Sequence, residues 1–429
     1  MLRRRTGIAI LSLAVSFMIP FMAGAQPLAH PPGQGENACF YCHASLSGRN
    51  QVVAEEWAGS IHAVRGVGCA DCHGGDPTAQ EMAAAMSPQA GFIGVPRRAD
   101  IPELCGSCHA DAEKMRIYNL PTDQLRQYRQ ESVHGQRLAQ GDENVATCYD
   151  CHGGHNIREA NDPGSTVYPV NLPGTCARCH ANADLMAPYG IPTNQYALFK
   201  ESAHGIALVQ EHNLRAPTCA TCHGNHGASL PGYTEVVDIC GADCHPAVRE
   251  AYLTGGHGLG FGVTKPEVPR CVSCHGRYNV PPASTEMYLG NAPRHCGSCH
   301  GAGTLIREQV DAIYQDLTDA AQGLARAEAA IGQAQSTGLA TAAEEVKLQQ
   351  ARTRLMEARI VQHTVQPELI KSKTDLVRAL CADIESALDQ AASARRSWQR
   401  AWLQGMTMGV VALGLVSAAG LLMVRRQSR

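Results

Sequence analysis

Two uncharged apolar runs bracket the chain, Gly7 to Met22 and Ala401 to Val424. Ahead of the second run, apolar residues recur at helical spacing in three stretches. Leu305–Gln335 and Thr341–His363 carry Ala, Leu and Ile faces joined at Thr337-Gly338, which predicts two antiparallel helices. Pro367 stops the second, and a third helix over about Glu368–Gln399 leads into the C-terminal run. Residues 39–300 read instead as loops and short helices with little sheet, in keeping with the 42 Gly and 23 Pro of the chain.

The flanks assign the two runs. Arg3, Arg4 and Arg5 precede the first run, Pro20 interrupts it and Ala23-Gly24-Ala25 follows it. This is the pattern of an export signal over residues 1–25 with the mature chain beginning at Gln26. An uncleaved anchor helix is the alternative, and the run is short for it. The second run spans 24 residues without a charge and is long enough to cross a bilayer. Arg400 precedes it, Arg425, Arg426 and Arg429 follow it, and Trp398 and Trp402 lie at interfacial positions. The basic tail places the C-terminus in the cytoplasm and the body on the periplasmic face of a bacterial inner membrane. The alternative for this run is a buried soluble helix, and the single Gly405-x-x-x-Gly409 match is a weak pairing signal.

Composition narrows the middle of the chain. Lys and Arg number 36 against 39 Asp and Glu, so no basic face for nucleic acid is expected. Aromatics are 5% with six Phe, too few large side chains for an ordinary core of this length. The 19 Cys and 19 His are the conspicuous feature, and all the Cys but Cys381 fall in pairs followed at once by His.

Eight pairs have the form C-x-x-C-H. They are Cys39, Cys42 and His43; Cys69, Cys72 and His73; Cys105, Cys108 and His109; Cys148, Cys151 and His152. Then come Cys176, Cys179 and His180; Cys219, Cys222 and His223; Cys271, Cys274 and His275; Cys296, Cys299 and His300. A ninth, Cys240, Cys244 and His245, has one extra residue between its cysteines, and failure to bind there is the alternative. Two thiols form thioethers to the vinyl groups of one haem, and the next residue supplies an imidazole beneath the iron. Nine covalently bound c-type haems are therefore expected, with these nine His as proximal ligands. Structural zinc does not need His after every pair, and exported free thiols would oxidise. At this density the porphyrins themselves form the interior, and folding should require them.

The motifs repeat in pairs. Glu131-Ser-Val-His134-Gly and Glu201-Ser-Ala-His204-Gly each lead to Thr-Cys-x-x-Cys-His-Gly-x-His, ending at His155 and His226, and then to a second site at Cys176 or Cys240. Looser copies begin at Gly59-Ser-Ile-His62 and Gly256-His257-Gly, so four two-haem units follow a lone haem at Cys39. Ten His lie outside the motifs: 30, 62, 134, 155, 204, 212, 226, 257, 295 and 363. Nine bis-His haems would use nine of them, and such iron suits electron transfer because neither face is open. His62, His134, His204 and His257 share a repeat position as distal candidates, as do His155 and His226. That second position holds Asp76 and Tyr278 in the looser copies, so His30, His212, His295 and His363 are the candidates for the remainder. The helix carrying His363 runs back toward the last motif, which predicts His363 as ligand of the Cys296 haem. Cys381 is expected to be buried and inert, with an intermolecular disulfide as the alternative.

The Ser-x-His-Gly … Cys-x-x-Cys-His-Gly-x-His … Cys-x-x-Cys-His unit resembles the multihaem c-type cytochromes of bacterial respiration, nearest to the periplasmic pentahaem and decahaem electron carriers. The resemblance implies a mainly α and irregular fold, a loop-rich multihaem domain with haems as its core over residues 26–303. A helical bundle or stalk over 304–399, a transmembrane helix over 400–424 and a tail over 425–429 depart from that family. The long helices are similar, by architecture alone, to the octahaem hydroxylamine oxidoreductase and nitrite reductase group. The expected function is an anchored relay with no catalytic residue. Its donor would be a membrane quinol dehydrogenase or cytochrome b-type protein, its acceptor a periplasmic or membrane redox protein, and homo-oligomers would form through the helices. The alternative is an oxidoreductase with one open haem acting on a small nitrogen or sulfur compound, for which Asp76 and Tyr278 are the hints. No Cys-x-x-Cys-Lys site is present, and quinol oxidation by this chain alone ranks last.

Overall fold

A computed structural model describes residues 37–232, 235–260, 268–282, 284–289 and 294–427. The export signal and His30 lie outside these residues. Secondary structure among them is helical and irregular, with no strand. The chain divides into two compact units: Met1–Arg97 with Gly153–Glu159, and Arg98–His152 with Ala160–Arg429.

The haem-motif region consists of short helices of two alternating kinds. The motifs at Cys69, Cys148, Cys219 and Cys271 each form their own five-residue helix, ending on the motif His. The third motif residue folds back to cap it. Asp71 accepts from Gly68 N at 2.6 Å, Asp150 from Thr147 N at 2.7 Å, Thr221 from Thr218 N at 3.0 Å and Ser273 from Arg270 N at 3.0 Å. These side chains satisfy N–H groups that a one-turn helix leaves open. The motifs at Cys105 and Cys176 instead end nine-residue helices, Ile101–His109 and Leu172–His180, each entered through a Pro.

The long helices supply the apolar packing. We label them α1 (Leu305–Ser336), α2 (Ala342–Val361) and α3 (Pro367–Gln427). Buried positions on α3 are Ile370, Thr374, Val377, Cys381, Ile384 and Leu388, alternating in steps of four and three. That is a coiled-coil seam. Val310, Ile313, Leu317 and Ala320 of α1 and Leu348, Ala351, Leu355 and Ala358 of α2 keep the same rhythm. Small residues let the helices approach, and a Cβ on Gly323 would lie 3.8 Å from the Cβ of Cys381. Cys381 is buried in this seam, as expected. Gly338 turns the chain between α1 and α2 with φ +75°.

The C-terminal region departs from expectation in one respect. The third bundle helix and the apolar run are a single helix of 61 residues, about 90 Å long at ~1.5 Å per residue. Pro367 opens this helix, where its missing N–H costs nothing, instead of merely ending the previous one. It is the one helix among the described residues long and apolar enough to cross a membrane. Its apolar part, from Leu403 to Gly420, is exposed.

Candidate haem-binding sites

Three of the four distal-candidate His of the first repeat class, His62, His134 and His204, are placed by the same device, while the turn of His257 begins at Gly255 with no side-chain cap. A helix ends, a buried Ser caps a new turn, and the His sits two residues later. Ser60 Oγ accepts from Ala63 N at 3.1 Å, Ser132 Oγ from His134 N at 3.1 Å and Ser202 Oγ from Gly205 N at 3.0 Å. The Gly after the His is a packing requirement. A Cβ at Gly135, Gly205 or Gly258 would collide with the carbonyl oxygen of Tyr128, Phe199 or Tyr252 in the preceding helix. We expect Gly205→Ala to lower the thermal midpoint by several degrees and to raise a high-spin haem signal, because the turn bearing His204 must shift; an unchanged melt and spectrum would contradict this packing.

The residue before that His reaches across to the following repeat. Ile61 N donates to Ile157 O at 2.8 Å, Val133 N to Ala228 O at 3.0 Å and Ala203 N to Val280 O at 2.9 Å. The three acceptors stand two residues after His155, His226 and Tyr278. An aromatic residue in the preceding helix holds the carbonyl two residues ahead of the motif. Trp57 Nε1 donates to Val67 O at 3.0 Å, Tyr128 Oη to Ala146 O at 2.8 Å and Tyr252 Oη to Pro269 O at 2.9 Å. Phe199 stands at the matching place ahead of Cys219 and has no such donor.

These supports bring imidazoles face to face. His73 opposes His155, His134 opposes His180, His152 opposes His226 and His257 opposes His300, all with ring centres 6.1 Å apart. His204 opposes His245 at 6.3 Å and His275 opposes His363 at 6.1 Å. A first-row metal held by an imidazole nitrogen at about 2.0–2.1 Å on each side, with each ring centre roughly 1.1 Å behind that nitrogen, sets the centres roughly 6.3 Å apart. The spacing therefore fits one iron between each pair. All the motif cysteines are half-buried or exposed, as thioether formation with a haem requires, and only Cys381 is buried.

Backbone carbonyls fix the ligand tautomer. A carbonyl only accepts, so Nδ1 donates in His73 to Gly94 O at 2.8 Å, in His223 to Ser229 O at 3.0 Å and in His363 to Ile360 O at 3.0 Å. Nε2 is left with its lone pair for a metal. Burial also disfavours protonation of several rings. Burial, then the facing His226, then His109 push His152 down to about 4. Burial first and the facing ring second lower His134, His155, His204, His257 and His275. Burial alone lowers His109.

Successive motifs also meet through their sulfurs. The Cys148 thiol shares a hydrogen bond with Cys105, Cys176 with Cys219, and Cys240 with Cys271. The contact with Cys240 draws Cys271 down to about 7. Cys222 lies within electrostatic reach of Cys244, and Cys274 of Cys296. Within the first unit Cys69 meets Cys39 in the same way. An ion pair of Arg98 Nη2 with Asp150 Oδ2 at 2.7 Å steadies the Cys148 motif. Burial raises the Asp150 carboxyl, but hydrogen bonds from Arg98 and Thr147 outweigh it and hold the group below its ordinary value.

Some candidates fall elsewhere than expected. His363 faces His275, not His300, because the turn Gln362–Thr364 packs against Gly255 just ahead of His257. His257 takes the place opposite His300. His212 is exposed with a left-handed backbone, φ +52°. His295 leads into Cys296 with Nδ1 buried. His62 is half-buried on its Ser60-capped turn, and His43 is half-buried. Asp76 accepts from Thr78 N at 2.9 Å and Thr78 Oγ1 at 2.7 Å in a local turn. Tyr278 lies opposite His223, centres 6.3 Å apart and planes 12° apart.

Comparisons with known proteins agree with this chemistry. A family profile described as Cytochrome c3 matches residues 61–181, which hold the motifs at Cys69, Cys105, Cys148 and Cys176. The chain is 24% identical over 209 residues to a C-type polyheme cytochrome, OmcC, of Geobacter sulfurreducens. That similarity covers 47% of this chain and only 22% of the relative. No solved structure matches.

Proposed function

We propose that this chain, a multihaem c-type cytochrome, is a membrane-anchored electron relay. One observation carries the reading: six imidazole pairs face each other at a nearly constant 6.1–6.3 Å. Iron porphyrins held there would take up and release single electrons. The paired residues would supply an imidazole from each side and leave no place for another ligand, and burial disfavours protonation of several of them. Nine such groups would be attached, one at each Cys pair, with His43, His73, His109, His152, His180, His223, His245, His275 and His300 proximal. Sulfur contacts between consecutive motifs within each unit support such a relay.

The exposed apolar stretch of α3 would anchor the body at the periplasmic side of the membrane, with the Arg-rich tail in the cytoplasm. The donor would be a membrane quinol dehydrogenase or cytochrome b-type protein, the acceptor a periplasmic or membrane redox protein. Deleting residues 400–429 will move the protein from the membrane fraction to the soluble fraction with haem content and visible spectrum unchanged; a truncated protein that stays with the membrane removes the anchor role. Film voltammetry of the full chain will give overlapping one-electron waves and no catalytic current with nitrite, hydroxylamine or sulfite. A catalytic current would replace the relay by the oxidoreductase reading, which only Tyr278 favours.

A further inference from the structure

The facing rings obey a register set by each motif's place in the array. The residue two after a Cys-His-Gly motif faces the proximal His two motifs earlier. His155, after the Cys148 motif, faces His73, and His226, after the Cys219 motif, faces His152. The class on the turn ahead of a motif runs the other way. His134, His204 and His257 each precede a motif and face the proximal His of the next motif but one in the chain, at His180, His245 and His300.

This rule separates the two exceptions. Asp76 follows the second motif, so the proximal His it would face lies before the first and does not exist. Asp76 marks the beginning of the array and needs no imidazole. At the other end no further motif follows Cys296 to serve His275, and His363 from the helical hairpin takes the vacant role. Tyr278 has no such excuse. It follows the Cys271 motif and faces His223, in the interior of the array.

Everything around Tyr278 keeps the repeat. Gly276 has φ +80°, like Gly153 at +83°, and each has an Asn three residues on, Asn279 and Asn156, packed against it. Val280 accepts from Ala203 N as Ala228 accepts from Val133 N. Only the side chain has changed. A phenol carries its oxygen farther from the ring centre than an imidazole carries its nitrogen. At the centre spacing of an imidazole pair, 6.3 Å, the phenol oxygen cannot lie on the axis between the rings as Nε2 does. Of the remaining described histidines without a facing ring, His212 is exposed and His295 leads directly into the Cys296 motif.

We infer that the haem on Cys219 and Cys222 has no distal imidazole, and that its sixth position, covered by Tyr278, is an exchangeable site for a small ligand. The Tyr278 hydroxyl is a hydrogen-bond donor beside that site, and the neighbouring Arg277 adds positive charge within electrostatic reach of the phenol, which favours an anionic occupant. This goes beyond the relay reading and does not depend on its donor or acceptor.

The test uses the full-length holoprotein in detergent. The ferric protein will give a high-spin EPR signal of one haem per chain, cyanide will abolish it at one equivalent, and the dithionite-reduced protein will bind one carbon monoxide. Tyr278→His will turn that haem low-spin and remove both binding events, with haem content unchanged. Tyr278→Phe will keep the high-spin signal and weaken cyanide retention several-fold. An entirely low-spin wild type that binds neither probe overturns the inference. So does a high-spin signal that survives unchanged in Tyr278→His, because the open haem is then elsewhere. Film voltammetry without catalytic current leaves this inference standing, so the two readings fail separately.

Discussion

Produced without haem attachment, the chain will retain the helical signal of residues 305–427 and lose cooperative structure over residues 37–300. Both hydrophobic clusters among the described residues centre on the bundle: one joins Ala327, Leu348, Val377 and Ile384, the other Val310, Ile313, Ile370 and Tyr288. The motif region contributes single buried residues such as Leu208 and Val237, and helices of a few turns at most. Backbone ordering costs about 1–2 kcal/mol per residue, and helices this short do not hold alone in water. Apolar contact with the porphyrins and iron ligation must offset that cost. Hydrogen exchange on the haem-free chain measures the outcome directly. Protection over residues 101–280 equal to that of α1 would contradict it.

Replacing His363 with alanine will leave the haem on Cys271 and Cys274 high-spin while the others keep their spectra. The helical hairpin is what brings His363 opposite His275. Tyr288 Oη donates to Gln362 Oε1 at 3.0 Å, and the same Tyr288 packs in the cluster with Ile313 and Ile370. The carbonyl of Ile360 orients the ring. Imidazole added to His363→Gly will restore the low-spin spectrum, which a merely structural role would not do. The array thus ends on a residue lent by the bundle. Persistence of a fully low-spin spectrum in His363→Ala would end this assignment.

Much of the attachment chemistry was legible in one dimension. Paired cysteines with an adjacent His are a local signal, because thioether bonds and a proximal ligand come from one turn of chain. The capping residues Asp71, Asp150, Thr221 and Ser273 are local too, and their alternation with the Pro-entered helices was there to be read. Helical periodicity likewise marked α1, α2 and the exposed run of α3. The comparisons share the multihaem theme, through a cytochrome c3 profile over residues 61–181 and a C-type polyheme cytochrome.

What residue types at fixed spacing determined, then, was which thiols and imidazoles flank each attachment point, because those partners lie within a few bonds along the backbone. Which imidazole faces which across the array was decided only by the fold. His155 and His73 are 82 positions apart in sequence, and His363 and His275 are 88. Their meeting depends on interleaved repeats held by Ile61 N to Ile157 O and its counterparts, and on a hairpin that carries His363 back beside Gly255. The same interleaving sorts Asp76, at the head of the series, from Tyr278, in its interior. Sequence alone sets these two departures side by side; the facing rings distinguish them, since distal ligation joins segments remote along the chain and has no local signature.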